Sequence, residues 1–407
     1  MLVVITLVVG IGAGVGVGLL VQGGMGSQVA SVQSPPADEP TPGASSADPG
    51  TTTGSPAPTA SGEAPPPPTE APSPTATPEP TPVLFPAPLD GVPVAEALAK
   101  RHVIAVMIDD LYAARPQSGL SRASVVWQAP AEGGIPRYMA LFQEGDAPSV
   151  GPVRSSRLYF ISWASEWHSV YVHAGGSPQA LALLNSSKGK GAVVYNADQF
   201  RWGNSYLWRI NTRSAPHNVY TDGKNLRKLA KAVGAKPAET VPEPVWRFAA
   251  DAPLEARPVG GSIVVPYAWN KISYKYDRVK NRYLRTVSVE GKQVDAGTKE
   301  RIAPKNVVVM MVPFVPLGDH KNRLDGLVTG SGPAYIFTNG MLTKGTWVKK
   351  NFTSPTRFLD KAGNPVTLTI GQTFVQVVQK GTKLTIVKGT PAPGVLPGTS
   401  PSPSTAP

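Results

Sequence analysis

Between Gln33 and Pro82 the chain is almost wholly Pro, Ser, Thr, Ala and Gly with a few acids, and this tract limits the fold before any motif is considered. A segment with so little apolar surface cannot offset the entropy of ordering, so an extended, solvated tether is expected. The run from Pro391 to Pro407 has the same composition and carries the same expectation. Much of the excess of 44 Pro and 41 Gly in 407 residues is therefore local, which leaves Leu84 to Lys388 for packed structure. About 300 residues suffice for two cores of ordinary size.

Ahead of the tether, Leu2 to Val21 is apolar and uncharged. About 20 such residues in a helix match the roughly 30 Å hydrocarbon thickness of a bilayer. The expectation is a single-pass anchor that holds the folded part outside the cytoplasm. No Lys or Arg precedes the run, so the positive-inside rule cannot orient it directly. A basic segment upstream of Met1 would supply the orientation. Small residues at Ser27 to Ala30 also allow cleavage as a signal, which would release a secreted protein. The expected organisation is an anchor or signal at 1–22, a linker at 23–83, an α/β domain at 84–240, a β-rich domain at 241–388 and a tail at 389–407.

Charge is as unevenly placed as proline. Lys100 is the first basic residue, while 8 of the 27 acids precede it. From Lys100 to Lys388 there are 39 basic against 19 acidic residues, a surplus of 20. Such a surface attracts anionic polymers, and a solvated surface without a partner reads the same way. The chain has no cysteine, which excludes disulfides, a Cys nucleophile and a lipid-bearing cysteine.

The folded part predicts an α+β fold, with a mixed α/β first half and a mainly antiparallel β second half. His102 to Ile108 reads as a buried strand ending in Asp109 and Asp110. Further strands are expected at Ser124 to Gln128, Arg137 to Phe142 and Ser169 to His173, with an aromatic helix from Arg157 to Trp167. Ser177 followed by Pro178 marks a helix start, and Asp222 or Thr221 another. The second half alternates apolar and polar residues from Ser262 to Val378, with turns at Asp277 to Asn281, Glu290 to Lys292 and Asn339 to Gly340.

These residues resemble the YerB-like family of bacterial lipoproteins and secreted proteins. The likeness rests on Ala113 to Leu120 (AARPQSGL), Glu132 to Ile135 (EGGI), Gly151 to Arg157 (GPVRSSR), Val172 to Gln179 (VHAGGSPQ) and Ala215 to Tyr220 (APHNVY). In the second half it rests on Pro304 to Val309, Gly345 to Trp347, Pro355 to Phe358 and Gly371 to Thr373. The resemblance implies an extracytoplasmic, envelope-associated protein with a compact two-part fold, and no established reaction. Two departures matter. The lipid-attachment cysteine is missing, and Gln128 stands where the resemblance implies an acid or Asn type.

The residues best suited to chemistry are Arg154, Ser155, Arg157, His173, Ser177, Arg213, His217 and Asn218. His173 ends a strand and leads through Gly175 and Gly176 into a helix start, where free backbone N–H groups favour an anion. Arginines hold phosphate or carboxylate in a two-pronged geometry. The same residues serve equally well to fix turns and fill cores. A serine mechanism would use Ser155 or Ser177 with His173 or His217, oriented by Asp109 or Glu132. A carboxylate pair drawn from Asp109, Asp110 and Glu132 would suit glycan hydrolysis. The five histidines show no HxH or HExxH spacing and no glycine run forms a phosphate loop, so no metal and no cofactor is expected. Tyr159, Phe160, Trp163 and Trp167 fall at helical spacing and read as core, whereas Phe200 to Trp208 reads equally as ligand-facing or loop packing.

Two functions follow. One is binding of an anionic envelope component, a wall polymer or glycan, through the Arg and His pocket. The other is an envelope hydrolase or transferase using the same residues. The expected partners are the membrane and that polymer, and nucleic acid is not expected physiologically.

Overall fold

The computed structural model describes residues 82–186 and 194–392. The expected helix at 1–22 lies outside the described residues, as do the tether up to 81 and the tail from 393. Among the described residues no helix is long and apolar enough to cross a membrane.

The first half supplies strands β1 to β5, which are Ile104–Asp109, Val125–Pro130, Pro136–Phe142, Val170–His173 and Tyr195–Asp198. The second supplies β6 to β9 (Ser262–Pro266, Lys271–Asp277, Arg282–Val287, Gly291–Lys292) and β10 to β15 (Asn306–Val312, Gly330–Thr338, Met341–Lys349, Arg357–Leu359, Thr373–Gln379, Thr385–Val387). Among the described residues the three α-helices of seven or more residues, α1 to α3, are Leu158–Ala164, Pro178–Asn185 and Gly223–Ala232. The chain is α+β. Ten strands form one sheet in the order β13-β12-β11-β10-β14-β2-β3-β1-β4-β5. A five-stranded sheet, β9-β8-β7-β6-β15, is antiparallel throughout.

The large sheet crosses from one half of the sequence to the other. β14 runs parallel to β2, with Thr373 opposite Val125 and Gln376 opposite Gln128, and parallel to β10 on its other side. β1, β2, β4, β5, β10 and β14 therefore all point the same way. Their C-terminal ends form one edge and their N-terminal ends the opposite edge. Successive side chains of a strand face opposite sides, so each strand feeds two cores. Trp127, Met107 and Val375 pack with α1 on one side, while Val106, Val126 and Phe374 pack with Leu226 and Leu229 of α3 on the other. Beyond the seam, Val307, Val309 and Phe337 receive Ile263, Tyr274 and Val287 of the smaller sheet.

Local chemistry explains the element ends. The Ser177 hydroxyl accepts from the Ala180 amide and Pro178 opens α2, while the Asp222 carboxylate accepts from the Asn225 amide at the start of α3. Asn339 and Gly340 join β11 to β12 as a two-residue turn with both residues at positive φ. The turn expected at Glu290 to Lys292 falls slightly earlier, because Gly291 and Lys292 already pair with β8. The aromatic helix is α-helical to Ala164 and ends in a tighter turn to Trp167. Its rings are core: Trp163 stacks on Trp127 with centroids 4.6 Å apart, and both are fully buried.

Side-chain ties reinforce the seam. Arg285 of β8 is fully buried and donates to Gln128 Oε1 at 2.6 Å, Tyr274 Oη at 3.0 Å and Tyr138 Oη at 3.2 Å, and also to Gln293. Gln128 in turn donates to Asp110, which also holds Arg115. The amide at position 128 thus has a physical role. An amide can accept from Arg285 and donate to Asp110 at once, whereas a carboxylate would face Asp110 as a like charge. Burial pushes the Asp110 carboxyl up to about 6 even with the Arg115 and Arg285 charges beside it.

A second buried carboxyl sets a pH dependence. Burial, and then the nearby Glu144 charge, push Asp90 up to about 8. The unfolded chain releases this proton near pH 4 while the folded chain keeps it to about pH 8. Folded protein therefore binds more protons across that window, and stability falls as pH rises through it. Asn is shaped like the protonated acid and keeps an acceptor for the Val92 amide. Asp90→Asn is expected to match the wild type at pH 4 and to exceed it by roughly 1–3 kcal/mol at pH 8. Thermal melts of both proteins across this range check it, and parallel curves would contradict it.

Candidate functional site

The C-terminal edge of the parallel strands gathers four of the motif blocks. The Gly151 to Arg157 segment threads along it: Asp109 N donates to Pro152 O at 2.9 Å, Arg154 N to Met107 O at 2.9 Å, and Val153 N to Val219 O at 2.6 Å. Ser156 N then donates to Gly175 O at 2.8 Å, which joins it to the turn after β4. These bonds bring the Arg154, His173 and His217 regions to one place, and Glu132 joins them through Arg157.

Asp109 is the centre of this edge. It ends β1, is 3% exposed, and its Oδ2 accepts from His217 Nδ1 at 2.7 Å and lies 3.0 Å from Arg154 Nε. Burial alone would raise its carboxyl, yet the His217 hydrogen bond and the Arg154 and Arg137 charges outweigh burial and hold it below the usual carboxylate range. The carboxylate accepts from His217 through Nδ1, which turns Nε2 away from Asp109. Among the described residues neither His217 Nε2 nor the Arg154 Nη groups has a hydrogen-bond partner, and both side chains are partly open to solvent. One carboxylate oxygen thus aims an arginine fork and an imidazole outward together.

A second cluster adjoins the first. Glu132 accepts from Arg137 Nη2 at 2.7 Å and from Arg157, while Arg137 Nη1 donates to Ser155 O at 2.7 Å and Ser155 Oγ at 3.1 Å. Burial drives the Arg157 guanidinium down to about 10. Arg137 and Arg157 are buried, so their charge supports the edge from behind rather than meeting a ligand.

The other residues singled out from sequence hold the chain in place. His173 is fully buried, with Nε2 2.8 Å from Asn196 Oδ1 and Nδ1 2.8 Å from Gly175 O. Ser177 caps α2. Arg213 donates to Ala114 O and Pro116 O, and Asn218 accepts from Arg209 and donates to Ile210 O. Ser155 Oγ takes a bond from Arg137, and no histidine bonds it or Ser177. Of the eight, Arg154 and His217 converge on solvent, Ser155 and Arg157 lie behind them, and the remaining four bond loops and turns. Arg137 was not among the sequence candidates. Its signal was the strand register, which sets it directly opposite Asp109.

Exposed rings surround this edge. Tyr112 is 72% exposed just past β1, Phe200 is 74% exposed against Gly175, and Trp269 is 63% exposed with its Nε1 on Gly133 O at 2.9 Å. Trp208 is 38% exposed on a short strand paired with Val219 and Tyr220. Trp202 and Tyr206, from the same aromatic loop, pack inward on the core instead.

A ten-stranded sheet shared by both halves of the sequence, with a charged edge at its parallel strand ends, defines a two-part α+β protein. The chain belongs to the family described as "Protein of unknown function (DUF3048)", whose N-terminal domain matches residues 89–236 and whose C-terminal domain matches residues 263–375. It is 30% identical over 311 residues to the protein named "Putative lipoprotein YerB" of Bacillus subtilis (strain 168), covering 74% of this chain and 89% of that one. The crystal structure of the YerB protein from Bacillus subtilis superposes with a TM-score of 0.66 at 27% identity, covering 75% of this chain and all of that one.

Proposed function

We propose that this protein works at the outer face of a membrane, where the Arg154 and His217 edge binds an anionic glycan or wall polymer. The location is supported by the apolar run before the tether and by the lipoprotein name of the Bacillus subtilis relative. This chain has no cysteine to carry a lipid, so the apolar run takes that part.

The binding reading rests on one observation: Asp109 orients Arg154 and His217 together, and their outer polar atoms have no partner among the described residues. A guanidinium fork suits a phosphate or carboxylate, and an imidazole Nε2 beside it can pair with a hydroxyl. An acidic sugar offers both groups on one ring. Exposed Tyr, Phe and Trp side chains around the edge supply faces on which sugars stack.

A hydrogen bond to a charged group contributes about 1.5–3 kcal/mol, which is roughly 10- to 100-fold in affinity. Arg154→Ala and His217→Ala in the full chain are each expected to weaken retention on purified anionic wall material by that factor. Unchanged retention in both would overturn the proposal. The Asp109–His217 pair favours a second reading, since an oriented imidazole is what a general base requires. That reading predicts soluble product released from the wall material and lost with His217→Ala. Retention without release decides for binding.

A further inference from the structure

The opposite edge of the large sheet carries a separate basic cleft of about 780 Å³. Its walls come from the segments before the N-terminal ends of β2, β10 and β14 and from the β7–β8 hairpin, so both halves of the sequence build it. A strand of six residues spans about 20 Å, which separates the cleft from the Arg154 and His217 edge by the height of the sheet.

Five cations line the cleft, Arg122, Lys280, Arg282, Arg301 and Lys305, against the two carboxylates Asp277 and Glu300. Internal pairing uses part of this charge: Arg122 pairs with Glu300 at 2.6 Å, and Lys305 with Asp251 at 2.7 Å. Lys280 and Arg282 are exposed and make no ion pair among the described residues. Among the described residues Arg301 bonds only Arg285 O and Thr286 Oγ1, at 3.3 and 3.4 Å, and its Nε is buried without a partner. Three cations with no carboxylate partner thus face a cleft whose volume is that of a site for a ligand with several groups.

We infer that this cleft binds a linear chain bearing repeated phosphates, with Lys280, Arg282 and Arg301 each meeting a charge. A single phosphate would engage only one or two of them. Aliphatic walls at Val92, Leu284 and Ile370 leave room for the uncharged links between charges. The inference is independent of the Arg154 edge, because no residue is shared.

Calorimetric titration of the full chain in mild detergent with sodium tripolyphosphate tests it, beside inorganic phosphate and phosphatidylglycerol dispersed in the same detergent. Tripolyphosphate is expected to bind at least tenfold more tightly than phosphate. The double variant Lys280→Glu, Arg282→Glu should lose that binding at least tenfold, and Lys280→Gln, Arg282→Gln should lose an intermediate amount. In an Arg154→Ala background, which removes phosphate binding at the other edge, the same losses should persist, which separates a failure here from a failure there. Equal affinity for phosphate and tripolyphosphate would overturn the inference. So would full binding by the glutamate variant, or binding of phosphatidylglycerol without binding of tripolyphosphate.

Discussion

Arg285→Ala is expected to lower the free energy of unfolding by about 3–5 kcal/mol, measured as a fall in the urea midpoint. The guanidinium is fully buried on β8 and holds acceptors from both halves of the sequence, Gln128 and Tyr138 on one side and Tyr274 and Gln293 on the other. Truncation removes those donors and also withdraws one of the two guanidinium charges beside Asp110, a carboxyl with no exposed surface to restore its hydration. Arg285→Met, which refills the volume with apolar atoms, should recover part of the loss. A change below about 1 kcal/mol for the alanine variant would show that the network contributes only packing.

Asp109→Asn is expected to weaken binding as much as removing either outward group does. Asn can still accept one hydrogen bond from His217, but the charge that holds Arg154 and supports Arg137 is gone. Both outward groups lose their shared anchor, so affinity for the anionic ligand should fall roughly 10- to 100-fold, by the same hydrogen-bond energies. Stability should fall by about 2 kcal/mol, because two guanidiniums are left near a neutral amide. Binding assays and melts on the same preparation separate the two effects. Full affinity in a folded Asp109→Asn protein would remove Asp109 from the site.

Much of the fold was legible because strands announce themselves locally. Alternation in Tyr283, Arg285 and Val287, the Asn339–Gly340 turn and the caps at Ser177 and Asp222 each follow from residues close in sequence. β5 was not anticipated, because Tyr-Asn-Ala-Asp presents only two apolar residues. The pairing of β14 with β2 had no local signal either. A parallel neighbour needs a long crossover, and nothing in Thr373 to Gln379 names Val125 as its partner. Arg285 was not singled out: it is a charged residue at an inward position of an alternating strand, and its partners come from four other segments.

The site was legible as a set of motifs and not as a set of roles. His173 and His217 both adjoin strand ends with glycine or polar neighbours, and the sequence weights them alike. Sheet position separates them: His173 lies between β4 neighbours and is fully buried, whereas His217 lies on the outer face of Asp109. Arg154 and Arg157 are three residues apart, yet one reaches solvent and the other is sealed against Glu132.

A crystal of the protein soaked in glucosamine 6-phosphate tests the central claim most directly. The phosphate is expected on the Arg154 Nη groups at about 2.7–2.9 Å, with a sugar hydroxyl on His217 Nε2 and the ring against one of the exposed aromatic side chains. Phosphate bound elsewhere at full occupancy, with Arg154 and His217 unmoved and unliganded, would contradict it.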